Sequence, residues 1–189
     1  MYSKIIIIMI ISIILTYPQT AEQLLKSGKD KISSSDYKDA IEDLTNLVKL
    51  DSRNAEAYYY RAIAKQQLFG NKAILEDLTS AIKYKPDYLE AYNLRAEIYM
   101  NLKNYNKALG DMSASIKLSP QDASVYYLRG IAYEHLGKYQ KAIDDFSKAI
   151  ELTPDNPILY LSRGTDYKKV GKPEQSKQDL AKYEELNDK

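Results

Sequence analysis

From residue 21 onward, apolar side chains recur three and four positions apart in short runs, with polar turns between them. That is the helical period, so each run predicts a helix with one apolar face. The runs come in twos, a pair of helical patterns joined by a short turn, and the pair itself repeats. Residues 123–156, ASVYYLRGIAYEHLGKYQKAIDDFSKAIELTPDN, moved back by 34 places fall on residues 89–122, LEAYNLRAEIYMNLKNYNKALGDMSASIKLSPQD. Tyr126 then lands on Tyr92, Arg129 on Arg95, Tyr133 on Tyr99, Ala142 on Ala108, Asp145 on Asp111 and Pro154 on Pro120. A fixed period of this kind decides the architecture before any local reading.

With the phase set by Ala142, the chain divides into copies at 21–54, 55–88, 89–122, 123–156 and 157–189. The eighth position of each copy is small: Gly28, Ala62, Ala96, Gly130, Gly164. The twenty-fourth is bulky: Leu44, Leu78, Met112, Phe146, Leu180. Small side chains let two antiparallel helices approach, and bulky ones fill the space beside them. Asn54, Asn104, Asp122 and Asn156 stand where N-caps are needed, the last followed by Pro157 at a first helical position. Pro86, Pro120 and Pro154 mark where three copies leave their second helix.

An early aromatic, a small residue four later, a mid-copy alanine and a late proline at this period resemble the tetratricopeptide repeat. The resemblance implies an all-α fold, a right-handed α-solenoid of about five stacked antiparallel helix pairs. It also implies a non-catalytic scaffold, in which the first helices of successive pairs line a concave groove holding a peptide or helix of a partner protein. Carried onto this chain, positions 2, 5, 9 and 12 of each first helix make one stripe. Its candidate ligand-binding members are Tyr59, Ile63, Gln66, Asn93, Glu97, Tyr127, Ile131 and Glu134. Aromatic anchors in such a track suit an extended or helical peptide. Ile63 and Ile131 fit equally well as padding of the stacked interior. Family members that clamp a carboxylate-ended peptide of chaperones carry lysines and asparagines at set stripe positions. The best-matching phases give Leu25 and Lys29, or Tyr59 and Ile63, and Glu90 stands where lysine is needed, so that clamp is absent.

Charged residues recur in register as well. Arg61, Arg95, Arg129 and Arg163 occupy the seventh position, and Asp43, Asp77, Asp111, Asp145 and Asp179 the twenty-third. Both flank core positions in every copy, which favours structural ion pairs over a charged binding row. The first copy has Asp43 but Ser27 in the arginine's place. That absence leans toward each arginine reaching the aspartate of the preceding copy, with pairing inside a copy the close alternative.

Some copies depart from the pattern. The second has Ile74 in the alanine slot, and its Gly70 comes one place later than Gly137 and Gly171. The first has Leu24 and Lys31 where the fourth has Tyr126 and Tyr133, and the fifth has Ser176 for alanine and Glu184 where earlier copies carry valine or isoleucine. A polar Glu184 is expected to close the array, since terminal members of a stack need one polar face.

The first twenty residues follow another rule. MYSKIIIIMIISIILTYPQT places one lysine before an apolar run at 5–15. As a helix the run would reach about 16 Å against a hydrocarbon core of ~30 Å, too short to span comfortably. It reads as a secretory signal peptide or a short membrane anchor, and the poor cleavage site keeps the tether open. The expected location is therefore outside the cytoplasm, in the periplasm or cell envelope.

Composition narrows the remaining choices. The chain of 189 residues has no cysteine, which excludes disulfides and thiolate chemistry. Its net charge of +1, with no basic stripe, argues against nucleic acid. A single histidine, His135, reads as a surface residue and leaves no set for a triad or a histidine metal site. With no phosphate loop, zinc spacing or nucleophile elbow, neither enzyme activity nor a cofactor is expected. A second reading stays open: a structural subunit of an envelope assembly, docking through its convex face or its ends. Neither the partner's identity nor the oligomeric state follows from the residues.

Overall fold

A computed structural model of the protein describes residues 19–188. The expected signal or anchor, with its apolar run at 5–15, lies outside them. No helix among the described residues is long and apolar enough to cross a membrane. All regular structure described is helical: α1 (Ala21–Ser33), α2 (Tyr37–Leu50), α3 (Ala55–Phe69), a 3-10 turn (Asn71–Ile74), α4 (Leu75–Tyr84), α5 (Leu89–Asn101), α6 (Tyr105–Leu118), α7 (Ala123–His135), α8 (Tyr139–Leu152), α9 (Pro157–Lys169) and α10 (Pro173–Asn187). The chain forms two compact units, the first reaching Asp77 and the second beginning at Leu78.

The first unit is built from α1, α2 and α3. α2 turns Ala40, Leu44 and Leu47 inward at helical spacing. Leu44 and Leu47 join Leu24 and Ala57 in one core, with Ala21, Leu25, Ile32, Val48 and Tyr60 packed around it. Gly28 lets α1 and α2 meet. A Cβ there would stand 2.7 Å from Leu44 Cγ, closer than side chains approach. α1 opens with a capping box the sequence reading overlooked: Thr20 Oγ1 accepts from the Gln23 amide at 3.2 Å, and Gln23 Oε1 from the Thr20 amide at 2.9 Å.

The second unit stacks α5 to α10, each helix against the next. One core joins Ala96, Ala108, Met112 and Val125, and another Tyr126, Ala149 and Leu159. The ring of Phe146 lies directly over Gly130, filling the room where any β-carbon would sit.

Three of the four expected caps close their helices. Asn54 accepts from the Ala57 amide, Asp122 from that of Ser124 and Asn156 from that of Ile158. The fourth does not: Asn104 precedes α6 but makes no side-chain capping bond. The anomaly at Gly70 and Ile74 is a local change of helix type. Gly70 takes a positive φ of 74°, and the next four residues form a 3-10 turn before α4 begins. The extra residue ahead of the turn would put the alanine slot out of step, and the tighter 3-10 winding brings Ile74 to full burial.

Candidate functional site

The recurring charges form a ladder of one design. Each arginine forks onto the aspartate sixteen residues later in its own copy. Arg129 Nε donates to Asp145 Oδ2 at 2.8 Å and Nη2 to Oδ1 at 2.7 Å. Arg61 grips Asp77, Arg95 grips Asp111 and Arg163 grips Asp179 in the same way. The lean toward the preceding copy's aspartate is thus overturned, because the sixteen-residue step places both groups between the two helices of one pair. The five aspartates are only 4–8% exposed. The Asp145 hydrogen bond raises the Arg129 guanidinium above its ordinary value, against the opposing effect of burial.

The link between copies runs through the third nitrogen. Nη1 of Arg61, Arg95, Arg129 and Arg163 donates to the hydroxyl of Thr45, Thr79, Ser113 and Ser147, at 3.0–3.3 Å. These hydroxyls sit at the twenty-fifth position of the copy before. Sequence reasoning missed them, although the recurrence of threonine or serine there was visible. In the first copy Ser27 and Lys31 replace the arginine: Ser27 Oγ donates to Asp43 Oδ2 at 2.6 Å and Lys31 Nζ at 2.7 Å.

The early tyrosines reinforce this frame. Tyr58, Tyr126 and Tyr160 lay their rings beside Arg61, Arg129 and Arg163 at 5.4–5.8 Å. Their hydroxyls donate to the carbonyls of Ser52, Pro120 and Pro154. These three tyrosines therefore serve the scaffold.

The stripe residues are placed differently. In the first unit Tyr59, Ile63 and Gln66 lie half-buried along α3. Tyr59 meets the Tyr60 ring edge-on at 5.3 Å, and Gln66 donates to Asn71 Oδ1 at 3.2 Å. Two further stripe positions pair across successive first helices, Lys29 with Glu56 at 3.0 Å. In the second unit Asn93 is half-buried and Glu97 exposed on α5, while Tyr127, Ile131 and Glu134 are half-buried on α7. Asn93 Oδ1 accepts from the buried Ser115 hydroxyl at 2.5 Å. The Tyr127 ring lies 5.9 Å from that of Phe146, so part of it serves the core. Glu134 pairs with Lys169 at 3.2 Å.

His135 is exposed and stacks flat on Tyr105, with ring centroids 4.5 Å apart. Among the described residues, no three histidine or acidic side chains gather to hold a metal ion.

Two family models described as tetratricopeptide repeat match the chain, over residues 25–64 and 94–163. No curated protein sequence matches it. Among solved structures, the MamA protein superposes with a TM-score of 0.80 at 21% identity, covering 89% of this chain and 92% of that one. A MamA fragment from Desulfovibrio magneticus RS-1 gives 0.75 at 21%, covering 88% and 94%. YrrB, described as a TPR protein with an unusual peptide-binding site, gives 0.80 at 17%, covering 88% and 86%. At such identities the likeness speaks for the fold. Together with the two family matches and the all-helical pairs seen here, it places the chain in the tetratricopeptide-repeat family.

Proposed function

We propose that this protein is a non-catalytic scaffold that binds a peptide or helix of a partner protein along the exposed face of its first helices. The contacts assigned are Tyr59, Ile63 and Gln66 in the first unit, and Asn93, Glu97, Tyr127, Ile131 and Glu134 in the second. One observation carries the reading. The in-register arginines and aspartates are spent on the internal ladder, whereas the stripe keeps apolar and aromatic side chains partly open beside polar ones. Such a surface binds through a few aromatic anchors. YrrB lends support as a protein of like fold with a peptide-binding site.

The leader at 5–15 extends the proposal to an exported protein, held in the envelope by an anchor or released by cleavage. N-terminal sequencing of protein from fractionated cells tests this, and a cytosolic chain beginning at Met1 or Tyr2 would end it. For the binding face, a photo-crosslinking residue is placed at Tyr127 or at the exposed Lys141 of α8, in intact cells. The expected result is capture of one partner from position 127, with affinity falling at least tenfold in Tyr59→Ala/Tyr127→Ala, about 1.4 kcal/mol or more. Capture only from position 141, with the double variant binding normally, would favour the structural-subunit reading instead.

A further inference from the structure

The seam between α7 and α9, inside the second unit, joins Glu134 of the stripe to Asp166 and Lys169, two side chains that belong to neither the ladder nor the stripe. Asp30, at the tenth position of the first copy, is exposed, whereas in the second, third and fourth copies that position is a core slot, where Ala64, Ile98 and Ala132 are fully buried. In the fifth copy Asp166 stands there, equally buried at 0% exposure. A carboxylate in such a place demands compensation. Lys169 supplies part of it, with Nζ 2.9 Å from Asp166 Oδ1 and 3.2 Å from Glu134 Oε1. Asp166 Oδ2 has no hydrogen-bond donor. The Glu134 and Asp166 carboxylates thus sit on one and the same ammonium.

With both acids ionised, one ammonium faces two carboxylates, Oδ2 stays unsatisfied and the group carries a net negative charge. A single added proton removes both defects. It makes the group neutral and turns one acid into the donor that Oδ2 lacks. We propose that Glu134 and Asp166 share one proton, forming a carboxyl–carboxylate hydrogen bond that latches α7 to α9 and opens as that proton is lost.

Glu134 is the proton's holder. Burial first, then Asp166, raises its pKa above the ordinary glutamate value, and Lys169 only partly opposes them. The other groups around the seam are committed elsewhere. From α8, Tyr139 offers its ring face to Lys169 at 4.6 Å. On α9, Arg163 is bound to Asp179 and Tyr167 lies beside Arg163 and Lys172. On α7, His135 is stacked on Tyr105 of α6. Since the folded value is raised, the latch contributes its full stability below the ordinary glutamate range and loses it as pH rises through the raised value.

The test uses the full chain, following the Glu134 carboxyl carbon by NMR and urea unfolding across the acid-to-neutral range. Glu134 should titrate above a glutamate in a short peptide. Asp166→Ala, which restores the residue of Ala64 and Ala132, should bring that midpoint back toward the peptide value. Glu134→Gln keeps a donor facing Asp166 at every pH, so it should lack the wild type's loss of stability on raising pH. An ordinary midpoint for Glu134, a midpoint that Asp166→Ala leaves unmoved, or a Glu134→Gln stability profile matching wild type would each overturn the latch.

Discussion

Arg129 has five N–H groups to place, and a forked aspartate takes only two of them. The hydroxyl of Ser113 takes a third, and that hydroxyl in turn donates to the Leu109 carbonyl at 2.7 Å. Removing the aspartate would leave a largely buried guanidinium without its partner. Asp145→Ala is therefore expected to destabilise the protein by about 3–5 kcal/mol, read from urea unfolding. Arg129→Lys keeps the charge but cannot fork and reach Ser113 together, so it should fall between the two. Gly130 poses a different demand, one of space. Gly130→Ala should cost about 1–3 kcal/mol because its methyl group meets the Phe146 ring. Adding Phe146→Met, which copies the Ala96–Met112 pairing of the core, should recover most of that loss. The recurrence of arginine and aspartate was legible in the sequence, but their pairing was not. Steps of sixteen residues forward and eighteen back both fit a period of thirty-four, and only the packing of the helices separates them. The linking hydroxyls escaped notice because serine and threonine at a helix surface carry no pattern of charge or apolarity.

At the level of elements, the turn inside each pair turns on a single residue with positive φ. Ser35, Lys103, Gly137 and Gly171 fill it at one fixed position, and Gly70 fills it one place later. The left-handed region costs a side-chain-bearing residue about 1–2 kcal/mol relative to glycine. Lys103→Gly should accordingly stabilise the protein, by up to about 1 kcal/mol after the added freedom of the unfolded chain is counted. Gly137→Ala should destabilise by a similar amount, and thermal midpoints of the two variants should move in opposite directions. Gly70 and Ile74 announced a disturbance in the sequence. Its form, a 3-10 turn ahead of α4, depended on how far Ile74 had to travel to reach the buried slot. The helix pairs themselves were readable because small residues at the eighth position and bulky ones at the twenty-fourth state the packing directly. Asp166 was hidden for the opposite reason. It occupies a core slot with a residue type that pattern reading assigns to the surface.

For the whole molecule, sequence and structure agree on an all-helical protein of stacked pairs belonging to a repeat family. The stripe was less legible. Residues singled out for a ligand divide their surface between the core and solvent, as Tyr127 does against Phe146. A three- or four-residue spacing names a face and cannot say how deeply each side chain sinks. The ladder has a consequence for how such a chain can grow. Every ladder arginine points back to a hydroxyl in the copy before it, so the interior copies are directional links, each with a hook on one side and an eye on the other. An interior copy can be inserted anywhere among its kind, because it brings both halves of the connection. A second 123–156 placed after residue 156 should give a longer chain with an unfolding midpoint at or above the parent's. A second 21–54 in the same place brings Ser27 instead of a hook, leaves Ser147 unclaimed, and should lower the midpoint. Lengthening by duplication is thus open to the interior and closed to the leading copy.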